Sequence, residues 1–207
     1  MLVTGSSGFL GRHLLDEIKA DYRVFGIARR SPAFTGAPLH RNLTWCQVDI
    51  RDRSALKRAF QEIRNQGGVE TVIHLAAHYD FTGEPHPNYL ATNVDGLRNV
   101  LDECRHLDLR RFVFASSVAA ADFRGRTRVV DEFTEPDGTH YYAKSKRIGE
   151  QMLQEYCEEL PTCIIRLGAL FSDWCEYPPL FKFLETWLST SKVTADSSES
   201  LTRHLLE

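Results

Sequence analysis

The chain has 207 residues, of which 43% are hydrophobic, and a formal net charge of −3 at pH 7. This length fits one domain, or one domain and a fragment, and the apolar content suffices for a buried core. A small net charge gives no electrostatic reason to expect nucleic acid or a membrane surface as a partner. Because no apolar run approaches the ~20 residues that span a bilayer, and the chain starts with a strand pattern rather than a signal peptide, we expect a globular cytoplasmic protein.

The five cysteines are scattered along the sequence and include no Cys-x-x-Cys pair. An odd, dispersed set favours free thiols over disulfides or a zinc site. His74 lies in an apolar run without a second ligand at a suitable spacing, so we interpret it as a packed or capping histidine. The sequence therefore predicts no metal site.

The N-terminal segment, residues 2–11, has the pattern of a short apolar strand, a glycine turn and the first turn of a helix. Gly5 would permit the sharp turn, Gly8 would let a pyrophosphate approach backbone N–H groups, and Gly11 would allow close packing of helix and strand. Phosphates would then lie at a helix N-terminus, which favours anions. A plain strand-to-helix turn can carry the same glycines, but the flanking strand and helix favour a dinucleotide site.

The second strand pattern, residues 22–28, ends without the acidic residue that NAD-binding folds carry about 20 residues after the glycines. Arg29 and Arg30 stand there instead. Guanidinium groups attract a 2′-phosphate, whereas a carboxylate would repel it. We therefore expect NADP as the preferred cofactor and keep NAD as the alternative, in which the two arginines are solvated loop charges.

The rest of the chain alternates between strand and helix patterns. Strands are predicted at residues 44–48, 72–77, 111–117 and 162–167, a long helix at 87–107, and a further helix from about residue 140. Largely apolar strands are expected where helices cover both faces of a parallel sheet. The alternation predicts an α/β fold with a doubly wound parallel sheet, and the polar stretch 122–139 predicts a loop over the edge where such sheets bind ligands.

Several motifs occur in a familiar order over about residues 1–170. They are Thr4-Gly5-x-x-Gly8-Phe9-x-Gly11, Asp49 after the third strand, His74-Leu75-Ala76-Ala77, Asn93 in the long helix, Ser116-Ser117, and Tyr142-x-x-x-Lys146. With these motifs the chain resembles the extended short-chain dehydrogenase/reductase family, which includes nucleotide-sugar epimerases and dehydratases. The resemblance implies a Rossmann-like fold and an NAD(P)-dependent reaction.

The resemblance implies catalytic roles for Ser117, Tyr142 and Lys146, and a role for Asn93 in shaping the active site. Ser117 is favoured over Ser116 because it lies 25 residues before Tyr142, a spacing known from the sugar epimerases. Together with the two arginines, the matching positions give a set of expected cofactor-binding residues: Gly5, Ser7, Gly8, Phe9, Leu10, Gly11, Arg29, Arg30, Asp49, Ile50, Leu75, Ala76, Ala77, Tyr142 and Lys146. Family members also commonly form dimers, so we expect a possible homodimer through helices 87–107 and 140–159.

The spacing of Tyr142 and Lys146 has a chemical meaning, because residues four apart share one helix face. A free tyrosine titrates near pH ~10, so a tyrosine that acts as a base at neutrality needs roughly 4 kcal/mol of stabilisation of its anion. A positive charge at ~4 Å and an effective dielectric of ~20 supplies about that much. We therefore expect Lys146, helped by an oxidised nicotinamide, to lower the pKa of Tyr142 while Ser117 binds the substrate oxygen. The alternative is an ordinary helix aromatic beside a solvated lysine.

Two departures from the family pattern limit what can be carried over. Residues 118–121 replace the frequent Val-Tyr-Gly, and residues 166–168 replace the common Arg-Pro, so substrate specificity stays open. The family also builds much of its substrate pocket from a C-terminal region. We expect residues 1–170 to form the dinucleotide-binding domain and 171–207 a partial substrate region or tail, as in a truncated form or a fragment. Within the latter, the apolar spacing over residues 178–188 predicts one amphipathic helix, and the polar stretch 194–200 predicts a flexible tail.

The sequence therefore predicts an NAD(P)-dependent oxidoreductase, epimerase or dehydratase. It would act on a hydroxyl or carbonyl group of a small polar substrate, such as a nucleotide sugar, by hydride transfer. The alternative is a non-catalytic NAD(P)-binding module that serves as a redox sensor or an interaction subunit.

Overall fold

The computed structural model describes residues 1–80, 82–121, 129–172 and 178–189. Six strands form one parallel sheet. They are Leu2–Thr4 (β1), Val24–Ala28 (β2), Leu43–Gln47 (β3), Thr71–His74 (β4), Arg111–Ser117 (β5) and Thr162–Leu167 (β6). Their order in the sheet is β3-β2-β1-β4-β5-β6. The predicted α/β fold with a doubly wound parallel sheet is confirmed.

Helices connect the strands, as parallel pairing requires. They are Phe9–Ile18 (α1), Pro32–Thr35 (α2), Arg53–Asn65 (α3), Asn88–Leu90 (α4), Leu97–Cys104 (α5), Tyr141–Glu155 (α6) and Pro178–Ser189 (α7). A π-helical segment, Ala91–Gly96, joins α4 to α5, and a 3₁₀ turn, Val118–Ala120, follows β5.

The strand order places β1 and β4 side by side in the middle of the sheet. The chain builds outward from β1 to β3 on one side and then returns to build from β4 to β6 on the other. Ligands of doubly wound sheets bind beyond the carboxyl ends of the strands at this point of reversal. The topology therefore predicts a ligand site at the residues that follow β1 and β4.

Both faces of β1 are buried. Leu2 faces the larger core, in which side chains from β2, β5, α3, α5 and α6 meet: Phe25, Phe112, Phe60, Leu97 and Met152. Val3 faces the opposite side and packs with Leu15 of α1 and Val24. This explains the apolar, non-alternating strands in the sequence.

The predicted bounds of β5 and β6 agree with the structure, whereas other elements differ from their predicted bounds. The strand predicted at 72–77 ends at His74, and the helix predicted at 87–107 is interrupted by the π-helical segment. A π turn holds one residue more than an α turn and often occurs at functional sites. An apolar periodicity of 3.6 residues does not reveal such an insertion, and the single-turn α2 was not predicted either.

The chain divides into two compact units, Met1–Gly168 and Ala169–Glu207. In the second unit, the helix predicted at 178–188 is present as α7. The tail that was predicted to be flexible, residues 194–200, lies outside the described residues, as does the first part of the predicted loop, residues 122–128. Within the described ranges, no helix has the length and apolar character to cross a membrane.

The cysteines in the described ranges are free thiols, as predicted: Cys46, Cys104, Cys157 and Cys163. Cys175 lies outside these ranges. Burial raises the pKa of the Cys104 thiol well above its usual value, so this thiol packs as a small apolar group.

Candidate active site

The turn after β1 approaches the segment after β4 very closely. Gly5 has a φ angle of +73°, in the left-handed region that favours glycine. A Cβ atom on Gly5 would lie only 2.7 Å from the backbone nitrogen of Ala76 and from the carbonyl carbon of Leu75. Any side chain at this position would push the turn away from β4.

Gly11 is also required for close packing, but against a different neighbour from the one predicted. A Cβ atom on Gly11 would overlap the carbonyl oxygen of Gly5 and lie 2.8 Å from the Cα atom of Ser6. The first turn of α1 therefore packs against the backbone of the glycine turn and not against the residues of a strand.

The N-terminus of α1 has the backbone geometry of an anion site. Gly8 is the N-cap residue, and no side chain caps the helix. The N–H group of Arg12 donates to the carbonyl oxygen of Gly8 at 3.0 Å. The N–H groups of Phe9, Leu10 and Gly11 precede this first helical hydrogen bond and have no acceptor within the helix. Donors of this kind bind phosphate oxygens.

A pocket lies at the carboxyl ends of β1 to β4. It is lined by the glycine turn, by both arginines after β2, and by the segments after β3 and β4. Among the lining residues are Gly5, Ser7, Gly8, Arg29, Arg30, Asp49, Ile50, Leu75, Ala76 and Ala77, all of which were predicted from the sequence. An anion-binding turn beside apolar walls, with no room for a Cβ atom at Gly5, fits a bound dinucleotide.

Charged groups gather at the end of the pocket formed by β2 and β3. The guanidinium of Arg30 donates to the carbonyl oxygen of Ser7 at 3.0 Å, whereas that of Arg29 makes no hydrogen bond or ion pair to any described residue. Asp49 is held by Arg51, whose Nη2 lies 2.7 Å from Oδ2. Burial raises the pKa of Asp49, but the hydrogen bonds from Arg51 and the charge of Arg29 outweigh it, so the pKa is lower than usual.

The two adjacent serines at the end of β5 have different partners, because successive side chains of a strand point to opposite faces. The side chain of Ser117 lies close enough to the hydroxyl group of Tyr142 to lower its pKa, and it accepts a hydrogen bond from the N–H of Ala119 at 3.1 Å. The hydroxyl of Ser116 donates to Glu150 at 2.5 Å. Of the two serines, the structure brings Ser117 to Tyr142.

Lys146 is buried, with 4% of its surface exposed. Its Nζ donates to the carbonyl oxygen of Ala115 at 2.7 Å and lies 5.0 Å from the ring centroid of Phe114 and 5.7 Å from that of Tyr142. Burial lowers the pKa of Lys146 to about 8, although the negative charge of Glu150 opposes this effect. The predicted proximity of the ammonium to the tyrosine ring is present.

The predicted lowering of the Tyr142 pKa is wrong for this arrangement. Burial is the largest effect and raises the pKa to about 12, and the nearby hydroxyl group of Ser117 opposes it only in part. Lys146 directs its ammonium to the carbonyl oxygen of Ala115. Tyr142 therefore holds its proton firmly at neutral pH.

Asn93, in the π-helical segment, joins two parts of the site. Its Oδ1 accepts a bond from the N–H of His78 at 2.6 Å, and its Nδ2 donates to the carbonyl oxygen of His78 at 3.0 Å and to Oγ of Ser145 at 2.9 Å. Ser145 in turn donates to the carbonyl oxygen of Tyr142 at 2.7 Å. Asn93 therefore links the segment after β4 to the first turn of α6.

Aromatic side chains that were not selected from the sequence surround Tyr142. The ring centroids of Tyr79, Tyr89 and His140 lie 4.5, 6.3 and 6.3 Å from that of Tyr142. Tyr79 and His140 come from irregular segments, which have no periodicity to mark them. The only signal in the sequence is the aromatic content of these loops.

Sequence reasoning also missed Glu150, the partner of Ser116. Its carboxylate accepts bonds from Nε and Nη2 of Arg166 at 3.0 and 2.8 Å, and its side chain is 3% exposed. A signal was available, because Glu150 follows Lys146 by four residues and so lies on the same helix face.

His74 is a packed histidine, as predicted. Its Nδ1 is hydrogen-bonded to Oγ1 of Thr4 at 2.9 Å, and that oxygen accepts a bond from the N–H of Ala76 at 3.3 Å. Its ring stacks against Phe112 and Phe114 at centroid distances of 6.1 and 6.0 Å. Among the residues that the structure describes, no group of three or more His, Cys, Asp or Glu could hold a metal ion.

Residues 1–181 match the NAD dependent epimerase/dehydratase family, and the chain therefore belongs to this family. This confirms the family predicted from the motifs.

Individual relatives are epimerases and dehydrogenases. The N-acetyl-alpha-D-glucosaminyl-diphospho-ditrans,octacis-undecaprenol 4-epimerase of Escherichia coli O157:H7 is 31% identical over 178 residues, which are 84% of this chain and 49% of that protein. The uronate dehydrogenase of Pseudomonas putida is 27% identical over 191 residues, 91% of this chain and 66% of that enzyme. The chain thus spans about half to two thirds of the length of these relatives.

A crystal structure of the UDP-glucuronic acid 4-epimerase from Bacillus cereus, in complex with UDP-glucuronic acid and NAD, is similar in fold. It is 25% identical in sequence, and the TM-score is 0.68 over 80% of this chain and 55% of that one. The sheet and its flanking helices are thus those of an NAD-binding epimerase.

The burial of His74 predicts a specific loss of stability in acid. Burial and the positive charge of Lys146 lower the pKa of His74 from 6.5 to about 3. Between these pH values the unfolded chain binds more protons than the folded one, so the free energy of unfolding falls as pH decreases. One such group contributes a decrease of roughly 2 kcal/mol between pH ~6.5 and ~5.

His74→Asn should remove this contribution while keeping a side-chain polar group next to Thr4. Urea titrations at several pH values give the free energy of unfolding of the wild type and of the variant. We expect the difference between these two free energies to shrink as the pH falls from about 6.5 to 5. A difference in the free energy of unfolding that stays constant over this pH range would show that His74 does not titrate in this way.

Proposed function

We propose that this chain carries the cofactor-binding and proton-transfer site of an NAD(P)-dependent oxidoreductase, epimerase or dehydratase. The observation that carries the proposal is the placement of Ser117 beside Tyr142, at the same edge of the sheet as the glycine turn. A hydroxyl or carbonyl group of a small polar substrate, such as a nucleotide sugar, would bind at this pair. The epimerases and the dehydrogenase among the relatives support this substrate class.

Each residue of the site has a role in this proposal. The N-terminus of α1 binds the pyrophosphate, and Ser117 holds the substrate oxygen beside Tyr142. Tyr142, with its pKa near 12, donates its proton to that oxygen, and Lys146 binds a ribose hydroxyl group of the cofactor. When bound, the nicotinamide would supply the hydride as Tyr142 donates its proton; in the reverse direction it would accept the hydride, and deprotonated Tyr142 would take the proton of the substrate hydroxyl group.

Tyr142→Phe tests the proton-transfer role, because it removes one hydroxyl group and keeps the ring. We expect kcat to fall by about 10²- to 10⁴-fold, the usual contribution of a general acid or base, with an unchanged cofactor Kd. Tyr141→Phe is the matched control, since it removes the same group from the neighbouring ring, which is 46% exposed. The assay would use a panel of nucleotide sugars and ketones.

Two outcomes would contradict this assignment. Full activity of Tyr142→Phe would mean that another group transfers the proton. Cofactor binding by the wild type without turnover of any substrate would favour the alternative function, a non-catalytic NAD(P)-binding module.

We propose NADP as the preferred cofactor. Both Arg29 and Arg30 line the pocket, and Arg29 is free to bind an anion because no described residue pairs with its guanidinium. The negative charge nearest to this end, that of Asp49, is partly neutralised by Arg51. An Arg–phosphate pair in this place would stabilise a 2′-phosphate.

Fluorescence titrations with NADPH and NADH test the preference. We expect the wild type to bind NADPH more tightly, and Arg29→Ala to weaken NADPH binding by about 10- to 100-fold, the size of a charge-assisted hydrogen bond, with little effect on NADH. Arg58→Ala is the control, because Arg58 is an exposed arginine of α3 outside the pocket. Equal or tighter binding of NADH by the wild type would overturn the proposal.

We also propose that the chain forms a homodimer through helices 87–107 and 140–159. Leu90 and Tyr141, at the starts of these helices, are 59% and 46% exposed, and exposed apolar groups of neighbouring elements can form an interface. Leu97 and Met152 lend no support, because both are buried in the chain's own core.

Sedimentation velocity at micromolar concentration tests the dimer. We expect Leu90→Asp to convert dimers to monomers, because it places a charge in the interface. Leu39→Asp is the control, since Leu39 is 80% exposed and lies outside both helices. A monomeric wild type would contradict the proposal.

Residues 171–207 would then form part of a substrate region, whereas residues 1–170 bind the cofactor. The greater length of the relatives supports this division. So does α7, which exposes the apolar side chains of Phe181 and Trp187 to 55% and 46%.

A further inference from the structure

The buried polar groups behind Ser117 and Lys146 form a cluster that the proposed proton transfer does not use. Glu150 is at its centre, and its carboxylate accepts three hydrogen bonds, from Ser116 at 2.5 Å and from Nε and Nη2 of Arg166 at 3.0 and 2.8 Å. Its position on α6, one turn after Lys146, places its charge close to the ammonium.

Arg166 extends the cluster to a third segment. Its Nη1 donates to the carbonyl oxygens of Thr134 and Asp131 at 2.7 and 3.4 Å. Through Arg166, Glu150 therefore connects β6 and the 131–134 segment to α6, while its bond from Ser116 fixes the end of β5. Ser116 is the residue immediately before Ser117, so this bond also fixes the strand end that carries Ser117.

Lys146 shares the carboxylate of Glu150 with Arg166, which is also attracted by the charges of Glu135 and Asp131. Lys146 and Arg166 are cations, and both are largely buried, with 4% of Lys146 and 16% of the Arg166 side chain exposed. A buried cation without a counter-charge is strongly disfavoured. The hydrogen bond of Lys146 to Ala115 reaches a neutral carbonyl group and gives no counter-charge.

Other ionisable groups near Lys146 do not replace Glu150. His74, which faces it from β4, is neutral because burial lowers its pKa to about 3. Tyr142, one turn earlier on α6, is neutral because burial raises its pKa to about 12. Arg166, on β6, has the same sign as Lys146. Among the described groups that act on Lys146, only Glu150 raises its pKa.

We infer that Glu150 is a positioning residue, which keeps the ammonium of Lys146 charged and fixes the end of β5 that presents Ser117 to Tyr142. Its part in catalysis rests on the proposed function, but its effect on Lys146 does not. A merely structural ion pair with Arg166 would hold β6 to α6 without setting the charge of Lys146.

Two substitutions separate these roles, because they should move the Lys146 pKa in opposite directions. Glu150→Gln keeps an acceptor for Ser116 but removes the negative charge, so the pKa should fall. Arg166→Gln leaves that charge without its competing cation, so the pKa should rise. Glu155→Gln is the control, since it removes the same charge from an exposed position of α6 that pairs with Arg98 at 3.6 Å.

The measurement is an NMR titration of ¹³C-labelled lysine side chains in the cofactor-free protein. The chain has six lysines, and the Lys146 signal is the one lost in Lys146→Met. We expect Glu150→Gln to lower the pKa by about one unit or more, a tenfold change in the protonation ratio. We expect Arg166→Gln to raise it and Glu155→Gln to leave it unchanged.

An unchanged Lys146 pKa in folded Glu150→Gln, or a lowered one in Arg166→Gln, overturns the inference. If Glu150→Gln does not fold, the rise expected in Arg166→Gln decides the matter by itself. Where turnover is found, the alkaline limb of the kcat/KM profile that reports Lys146 should shift in the same directions. If no substrate turns over, the titration still supports or overturns the role of Glu150, and only the proposed function fails.

Discussion

The close approach of the turn after β1 to the segment after β4 is the contact on which the rest of the structure depends. It is possible only because Gly5 and Gly11 have no Cβ atom: one added at Gly5 would meet the backbone of Leu75 and Ala76 at 2.7 Å. With both glycines in place, the N-terminus of α1 lies directly at the centre of the sheet. The donors that can bind phosphate and the apolar wall after β4 thus belong to one pocket.

The same sheet edge gathers the proton-transfer residues, because parallel strands all end on one side. Ser117 comes from the end of β5 and Tyr142 from the start of α6, and Asn93 ties α6 back to the segment after β4 through His78 and Ser145. Hydrogen bonds therefore join the elements that follow β4 and β5, within one half of the doubly wound sheet. A displacement of α6 would disturb the position of Tyr142 as well as the wall of the pocket.

Sequence reasoning reached the fold and the local motifs because both depend on short-range patterns. The bounds of β5 and β6 follow from apolar runs, and Gly5 follows from the steric needs of a tight turn. The interruption of the long helix by a π segment depends on where Asn93 finds its partners, which is a tertiary property. Arg166 shows the same limit, since the sequence marked it only as a departure from a motif, whereas the fold makes it the partner of Glu150.

The pKa of Tyr142 shows why spacing alone does not give chemistry. The spacing in the sequence predicts the favourable charge of Lys146, helped by an oxidised nicotinamide, beside a free phenol, but it does not reveal the cost of burying that phenol. With a pKa of about 12, ionising Tyr142 at neutral pH costs roughly 7 kcal/mol. This cost already includes the effect of Lys146, whose ammonium donates to the carbonyl oxygen of Ala115.

Donation of the proton starts from the form that Tyr142 holds at neutral pH, but it leaves the same buried tyrosinate, so positive charge near the phenol matters in both directions of proton transfer. A pKa of about 8 leaves Lys146 mostly charged at neutral pH, but this pKa is only slightly above neutral pH. The negative charge of Glu150, one turn further along the same helix, opposes the lowering of the pKa by burial. The carboxylate of Glu150, which does not contact the reacting groups, thus supports the positive charge of Lys146 beside them.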